Sequence, residues 1–491
     1  MGLINIGTAA DDGTGSKPRE AALLINRSMN APLRKAVSVM FDGDSKGVEG
    51  FNVYVYVAAV TGISFVRRDT GNAGGYGIGG SDSSSTTNNL TNTTRMANCL
   101  AALQALTNAG ETVDVSLRMF TNDVATDPAT VISRLTTYHN TVVRAGGARF
   151  LILFACEPGN GSSTSGLNAQ RIALNRRLSA YANTNSHDTI YIDYTNQIID
   201  PNASNTLGKC YPYTATGTGA PIGSVLRDGT HHSNNGDFLA SKGAIEALKA
   251  IYPKKQTRSL SQVATGQDTN GASGYGDSHD GNLYTVGRTV AIGGVIGGFT
   301  GTTPVGTPPA SMSLSGTLDG TGAITFTAAT ASVTADGLPI PPGDWPAVNV
   351  ALTGTPTTTA TFTITYNGAG VSLATNNQIA IGDPLRMFVV LKANNLVGVA
   401  QFKVTMNGEA VSGQSLPTLG GTSGANSPLA DGWINRNGSG GLDGPIIIEG
   451  DVFTAAAAHS TVKIALITQV MANVPLSGSF DILLIGVERA Y

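Results

Sequence analysis

Five short apolar runs, separated by helical patterns, occupy the first half of the chain. They cover residues 36–41, 63–66, 113–119, 149–154 and 189–194. One helical face is marked by apolar residues at i, i+4, i+7 and i+11, namely Val131, Leu135, Tyr138 and Val142. Residues 169–181 and 238–251 have similar apolar spacing. This alternation of strands and helices predicts an α/β layered fold around a parallel sheet with right-handed crossovers.

The second half of the chain has a different character, because β patterns follow one another with no helical pattern between them. The predicted strands are 324–326, 362–366, 387–391, 402–406, 445–449, 461–468 and 480–488. Asn-Gly and other turn signals separate several of them. We therefore expect an all-β, jelly-roll-like β-sandwich.

These changes in pattern predict four regions in a chain of 491 residues, which is long enough for two or three domains with separate cores. An N-terminal segment covers residues 1–35 and the α/β domain covers 36–252. Residues 253–310 are a Gly/Ser-rich connecting region with a modest β patch at 283–299. The β-sandwich covers 311–491.

A serine follows the first apolar run in a tight turn. The segment Phe41-Asp42-Gly43-Asp44-Ser45 predicts a sharp strand-to-helix connection that exposes the Ser45 hydroxyl at the sheet edge. Ser45 is therefore a candidate nucleophile. Gly-Asp-Ser alone is weak evidence, because these residues are common in turns and the chain has 62 glycines. A second copy, Gly276-Asp277-Ser278, follows no apolar run and is interpreted as a loop.

Three further segments follow the Ser45 turn in a fixed order. They are Asn72-Ala73-Gly74-Gly75-Tyr76-Gly77, Thr121-Asn122-Asp123 and Asp228-Gly229-Thr230-His231-His232-Ser233-Asn234-Asn235-Gly236. Together with that turn they resemble the four blocks of the SGNH, or GDSL-type, hydrolase family over roughly residues 36–252. The Asp-x-x-His-x-Ser-x-x-Gly pattern at 228–236 is the most specific part. The resemblance implies a three-layer α/β fold and an ester hydrolase without a cofactor or a metal ion.

The resemblance also implies a role for each matched residue. Ser45 would be the nucleophile, and His231 would be the base that takes its proton and returns it to the leaving alcohol. Asp228 would orient the imidazole. A serine hydroxyl needs such a base, which contributes roughly 100-fold to 10,000-fold. His232 is expected to be a loop neighbour, because the family spacing selects His231.

The oxyanion hole implied by the resemblance combines three donors. They are the Ser45 backbone N–H, the Gly77 N–H and the side-chain amide of Asn122. Gly75 and Gly80 remain alternatives to Gly77 in this glycine-rich stretch. Asn122-Asp123 also has a second interpretation, as a cap for the helix that Pro128 helps to begin.

Two positions depart from the family pattern. Phe120 stands where the third block usually has glycine, which could reshape the floor of the site. Lys46 follows the nucleophile where an apolar residue is common, and it would either favour an anionic substrate or face water. We expect Glu157 to be solvated at a strand end, and we expect surface positions for His139, His187 and His459.

The first 35 residues carry a separate signal. Met1-Gly2-Leu3-Ile4-Asn5-Ile6-Gly7-Thr8, a glycine-rich turn and a helical stretch resemble the N-terminal segment of bacteriophage tail fibre and tailspike proteins. The alternative is a strand and helix packed on the hydrolase domain. This stretch lacks the basic start and long apolar core of a secretory signal. The resemblance implies a homotrimer attached to a virion tail.

Composition restricts the partners of the chain. A net charge of -3 supplies no basic field for nucleic acid. No apolar run approaches the length of about 18 residues that spans a membrane. The three cysteines suit assembly in a reducing cytoplasm. Trp345, Trp433 and Tyr366 could bind sugar on the sandwich, which could equally be an oligomerisation or packing domain.

Two classes of function compete. The first is an SGNH serine esterase on a phage tail appendage that removes O-acetyl groups from a bacterial surface polysaccharide through an acyl-serine intermediate. Other acyl esters, including lipids, remain open as substrates, although the chain has no amphipathic lid near the site. The rival is a receptor-binding or structural tail adhesin whose hydrolase domain is inactive.

Overall fold

The computed structural model describes most of the chain between Val37 and Arg489. The described residues are 37–68, 76–78, 80–158, 165–199, 210, 225–226, 230–232, 234–253, 291–328, 333–334, 344–345, 347–368, 370–373, 379–407, 414–415, 442–449, 453–455, 457–470 and 472–489. The tail-like segment 1–35 lies outside them, as do Asp228, Gly75 and Trp433.

The first half of the chain folds around a six-stranded parallel sheet. Its strands are β1 (Val37–Gly43), β2 (Phe65–Arg68), β3 (Tyr76–Gly77), β4 (Val113–Arg118), β5 (Leu151–Phe154) and β6 (Thr189–Ile192). The order is β2-β1-β4-β5-β6, with β3 also paired to β1, and every pair is parallel. All five apolar runs predicted as strands are confirmed.

Helices cover both faces of this sheet. They are α1 (Ser45–Thr61), α2 (Thr93–Asn108), α3 (Pro128–Tyr138), α4 (Ser165–Thr184), the single turn α5 (Thr195–Ile198) and α6 (Asn234–Ile251), with a 3-10 turn at Thr121–Asp123 and a π-helical turn at His139–Arg144. The helical face predicted from spacing is confirmed, because its four apolar residues are fully buried.

The alternation of β1 side chains shows how the layers form. Val39 and Phe41 pack in one apolar core with α1 and α6. Met40 points to the opposite face and packs in a second core with α2, α3 and α4. Because successive strand residues face opposite sides, a strand buried on both faces reads as a continuous apolar run. The predicted three-layer α/β architecture is confirmed.

The second half of the chain forms two mainly antiparallel sheets. The first contains β9 (Ala323–Ala328), β12 (Val348–Thr353), β15 (Pro384–Val397), β18 (Leu442–Glu449), β19 (Phe453–Thr454) and β21 (Ser477–Arg489). The second contains β7 (Val295–Gly301), β8 (Met312–Leu318), β13 (Ala360–Tyr366), β14 (Val371–Ser372), β16 (Val399–Asn407), β17 (Gln414–Ser415) and β20 (Thr461–Val470). A small separate ladder pairs β10 (Val333–Thr334) with β11 (Asp344–Trp345).

Apolar side chains from both sheets share one core, as in a sandwich. Phe402 and Phe480 meet across it with ring centroids 5.0 Å apart. The predicted β-sandwich and its seven predicted strands are confirmed. Strand β7 lies in the predicted connecting region and pairs in parallel with β8, so it is part of a sandwich sheet.

The α/β domain contacts the sandwich through α1 and α6. Tyr56 and Phe238 are buried in the sandwich core, with ring centroids 5.7 Å apart. The helix that begins at Ser45 is therefore buried on two sides, against the sheet and against the sandwich. None of the described helices is long and apolar enough to cross a membrane.

Two histidines expected at the surface and one tryptophan considered for sugar binding are buried. Trp345 is 5% exposed in an apolar cluster, so it cannot stack on a sugar in this structure. His459 is buried between sandwich strands. His139 is fully buried in the π-helical turn, with Nδ1 2.7 Å from the Tyr181 hydroxyl. Only His187 of the three histidines expected at the surface is exposed, with 71% of its side chain accessible.

Candidate active site

The turn that carries Ser45 depends on a glycine. Gly43 ends β1 with φ +142°, and a Cβ there would lie 2.0 Å from the backbone oxygen of Arg118 on β4. Asp44 then caps α1, its Oδ1 accepting a hydrogen bond of 2.8 Å from the Lys46 N–H. Gly-Asp therefore brings the chain tightly past β4 and starts a helix, which leaves Ser45 as the first helical residue.

Ser45 meets His231 across a large sequence separation. The Ser45 Oγ lies 2.8 Å from His231 Nε2, although the two residues are 186 positions apart. Both side chains are only partly buried, so the pair is open to solvent. This is the geometry in which an imidazole can take the hydroxyl proton. Asp228 lies outside the described residues, and its orienting role stays a prediction.

Gly236, the glycine of the histidine block, is required for steric reasons. A Cβ on Gly236 would lie 2.2 Å from the Val225 backbone oxygen and 3.0 Å from the His232 ring. An isolated bridge also joins Leu226 to His232. The first turn of α6 therefore packs directly against the histidine segment, and only glycine permits this approach.

The other two blocks lie against the Ser45 turn. Gly77 on β3 pairs with Gly43 on β1, and the next N–H, from Ile78, donates a 3.0 Å hydrogen bond to the Gly43 oxygen. The Ser81 hydroxyl donates to the same oxygen at 3.2 Å. Asn122 donates from its amide to the Ser81 oxygen at 2.9 Å. A continuous set of hydrogen bonds thus links the second and third blocks to the turn.

The structure places the predicted donors of the oxyanion hole in different surroundings. Ser45 begins α1, where N–H groups have no intrahelical acceptor and the helix dipole favours negative charge. Asn122 is exposed, and its amide has a second N–H besides the one bound to Ser81. Gly77 is placed beside Gly43, whereas Gly80 has φ +75° in the following turn.

The alternative interpretation of Asn122-Asp123 as a helix cap is wrong. Asp127 caps α3, its Oδ2 accepting from the Thr130 N–H at 3.0 Å. Asp123 instead accepts from the Ser83 hydroxyl at 2.6 Å and from its N–H at 3.0 Å. The carboxylate therefore anchors the loop of the second block.

Phe120 retains the backbone conformation that glycine would favour. Its φ is +81°, and its side chain is fully buried in the core that α2, α3 and α4 share. A bulky residue in this region is unusual and is held by its surroundings. The third block therefore keeps its turn despite the loss of glycine.

A group of buried charges lies next to the Ser45–His231 pair and overturns three expectations. Lys46 faces neither water nor a substrate, because its Nζ forms a buried 2.9 Å ion pair with Glu157. Glu157 is not solvated, since its side chain is 1% exposed. His232 is more than a loop neighbour, because it is buried between Glu157 and Asp237. Arg118 completes the group, with Nε 2.6 Å from Glu157.

These buried charges shift one another's pKa values. Burial raises the pKa of Glu157, but Arg118, Lys46 and His232 together hold it well below its usual range. Burial lowers the pKa of His232, but Glu157 and Asp237 outweigh that effect and raise it. Glu157 is therefore an ionised carboxylate inside the protein, with cations on two sides.

Sequence reasoning did not find Arg118, Asp237 or the role of Glu157. Arg118 is the last residue of β4, and Glu157 follows the end of β5 by three positions. Polar residues at the carboxyl ends of parallel strands are the signal that could have found them, because ligand sites form there. Among the described residues, no group of His, Cys, Asp and Glu side chains is arranged to hold a metal ion.

Asp44 gives a pH-dependent prediction. Burial raises its pKa to about 6, against the opposing effect of Lys46. The folded protein therefore binds a proton more tightly than the unfolded chain, and stability falls as pH rises through about 6, by up to ~3 kcal/mol. Because this loss falls between about pH 4 and pH 6, we expect Asp44→Asn, which keeps the capping oxygen, to gain stability relative to wild type between pH 4 and pH 7.

Urea denaturation at both pH values measures this difference. Asp127→Asn is the matched control, because it changes the exposed cap of α3 where burial imposes no penalty. Parallel pH dependences for wild type and Asp44→Asn would show that Asp44 ionises without cost.

Comparison with known proteins gives similarities of fold only. No family model matches the sequence, and no curated protein matches it. Several solved structures align with just under half of the chain. A candidate acylhydrolase from Bacteroides fragilis is 18% identical, with 47% of this chain and 97% of that one covered at a TM-score of 0.30.

Two other alignments are similar in extent. A GDSL-like lipase from Bacteroides thetaiotaomicron is 15% identical, with 47% and 97% covered and a TM-score of 0.28. A carbohydrate esterase family 3 protein from Talaromyces cellulolyticus is 15% identical, with 44% and 97% covered and a TM-score of 0.27. Likenesses at these scores carry no weight in assigning an activity, which must follow from the contacts of the site.

Proposed function

We propose that this chain is a serine esterase of the SGNH type. The observation that carries the proposal is the 2.8 Å contact between Ser45 Oγ and His231 Nε2. Ser45 attacks the ester carbonyl while His231 takes its proton, and His231 then returns that proton to the leaving alcohol. Water repeats the cycle on the acyl-serine intermediate, with the same histidine as base.

The surroundings of the pair suit the charge that develops during attack. The tetrahedral intermediate carries a negative oxygen, and each donor aimed at such an oxygen is worth about 2.7 to 4 kcal/mol. The N-terminus of α1 provides a positive partial charge beside Ser45. Asn122, held through Ser81 against the same turn, provides an uncharged donor on the adjacent strand end.

The proposed natural reaction is removal of O-acetyl groups from a bacterial surface polysaccharide. Support for this substrate comes from the tail-like N-terminal segment, because virion tail proteins meet such polysaccharides at the cell surface. The proposal includes attachment to a virion tail through residues 1–35 and a homotrimeric assembly. The rival, a tail adhesin with an inactive hydrolase domain, leaves the Ser45–His231 contact without a purpose.

Acetate release from O-acetylated bacterial polysaccharides tests this proposal. We expect release by wild type, none by Ser45→Ala, and none from the same polysaccharides after alkaline deacetylation. p-Nitrophenyl acetate, butyrate and octanoate form a second series, in which turnover should decline with chain length. A preference for octanoate and no acetate release would favour a lipid ester, and no turnover of any ester would favour the adhesin.

A further inference from the structure

One carboxylate oxygen connects the segment of the nucleophile to the segment of the base. Lys46, which directly follows Ser45, places Nζ 2.9 Å from Glu157 Oε2. His232, which directly follows His231, places Nε2 2.8 Å from the same oxygen. The two neighbours of the catalytic pair therefore share a single acceptor atom at the end of β5.

The remaining contacts hold that carboxylate in place. Arg118 donates from Nε to Glu157 Oε1 at 2.6 Å, and the Tyr194 hydroxyl donates to the same oxygen. Lys46 and Arg118 have side chains that are 1% exposed. With both oxygens occupied by buried donors, the carboxylate has little freedom to move, and its partners have no alternative acceptor in water.

The contact with His232 persists in either protonation state of that ring. Nδ1 lies 2.8 Å from Arg118 Nη2 and 3.1 Å from Asp237 Oδ1. The Glu157 carboxylate only accepts, so a neutral ring carries its proton on Nε2, and its Nδ1 can then accept from the Arg118 guanidinium. The imidazolium also carries a proton on Nε2. In both states Nε2–H donates to Glu157.

We propose that Glu157 is a positioning residue, which sets the Ser45–His231 distance by holding Lys46 and His232 on one oxygen. This inference rests on the proposed esterase function. Ser45 lies at the start of α1 and His231 on the segment before α6, so no single element fixes their separation. Proton transfer requires hydrogen-bond reach, and a displacement of about 1 Å can cost 100-fold in rate.

The test compares Glu157→Gln with wild type on p-nitrophenyl acetate, well below the melting temperature of both. Glutamine keeps the size and one acceptor oxygen but loses the charge that holds two cations. We expect kcat to fall about 10- to 100-fold with KM unchanged within about twofold. Glu157→Asp, which restores the charge one methylene away, should recover part of kcat.

Asp114→Asn is the matched control. Asp114 is an equally buried carboxylate, paired to Arg149 at 2.6 Å, but it lies at the amino end of β4, away from the site. We expect this variant to lose thermal stability and to keep wild-type kcat. A purely structural role for Glu157 would give both variants the same kcat at a matched distance below their melting temperatures, and would overturn the proposal.

Lys46→Met covers the case in which Glu157→Gln does not fold. It removes one of the two contacts and keeps the apolar stem, and we expect a several-fold lower kcat at unchanged KM. Unchanged kcat in Lys46→Met would also overturn the proposal. The esterase proposal and the positioning proposal can fail separately. Wild type without Ser45-dependent turnover would contradict the esterase function. An active wild type whose Glu157 and Lys46 variants are fully active would contradict only the positioning role.

Discussion

Ser45→Ala should lower the turnover of p-nitrophenyl acetate by at least about 10,000-fold, because alanine lacks the hydroxyl that forms the acyl intermediate in the proposed reaction. We expect the variant to fold, because the Ser45 side chain is only partly buried and is not part of an apolar core. The substitution removes its hydrogen bond to His231. Turnover at equal concentration and mildly alkaline pH, with melting temperature as a check on folding, measures both effects.

The chain offers its own control for this experiment. Ser278 stands in the second Gly-Asp-Ser, and Ser278→Ala is expected to keep full activity. Reaction of wild type with a fluorophosphonate, followed by peptide mass spectrometry, should place the label on Ser45 and leave Ser278 unmodified. Equal turnover by wild type and Ser45→Ala would show that Ser45 is no nucleophile for small esters, and would favour the adhesin.

The sequence predicts the α/β strands because those strands are buried on both faces. A strand with apolar neighbours above and below, such as β1, reads as a continuous apolar run. The sandwich strands β13 and β20 are predicted from short β patterns between turn signals, and their burial alternates along much of each strand. Strands β8 and β12 alternate in the same way, with a buried apolar residue at nearly every second position, so this pattern could also have predicted them.

Helix α1 is hard to predict for a related reason. Its sequence runs Val53-Tyr54-Val55-Tyr56-Val57, which alternates in the manner of a strand and is rich in β-branched and aromatic residues. In the structure Tyr54 and Val57 pack on the sheet, while Tyr56 packs in the sandwich core. A helix buried on two sides has no single apolar stripe, and tertiary packing overrides local propensity.

Positions at the carboxyl ends of strands could have marked Arg118 and Glu157 as site residues, but the burial of these charges could not be predicted, because a sequence shows charge but not burial. Lys46, Glu157 and His232 come from three distant elements, and each alone resembles a solvated residue. Their ionised state inside the protein depends on the others, since an isolated buried charge is costly. The Ser45–His231 contact was predictable because both residues stand in motifs that resemble blocks of a known family, and the structure gives the glycines of these motifs, Gly43 and Gly236, a steric reason.

His231→Gln and His232→Gln should have different effects, because we propose that His231 transfers the proton and that His232 helps to position it. His231→Gln removes the imidazole that contacts Ser45 and that we propose as the base, so we expect turnover to fall by about 1,000-fold to 10,000-fold. Its melting temperature should change little, because the side chain is only partly buried. Glutamine fills similar space but cannot take up a proton, which confines the loss to the chemical step.

His232→Gln should show the opposite balance. This substitution leaves the buried carboxylates of Glu157 and Asp237 with one partner fewer. Removing one member of such a buried network lowers the free energy of unfolding by about 3 to 5 kcal/mol, so the melting temperature should fall clearly. Turnover should drop only about 10- to 100-fold, since the base that contacts Ser45 remains. If instead His232→Gln lost more activity than His231→Gln, the base would be His232, and the 2.8 Å contact at Ser45 would not be catalytic.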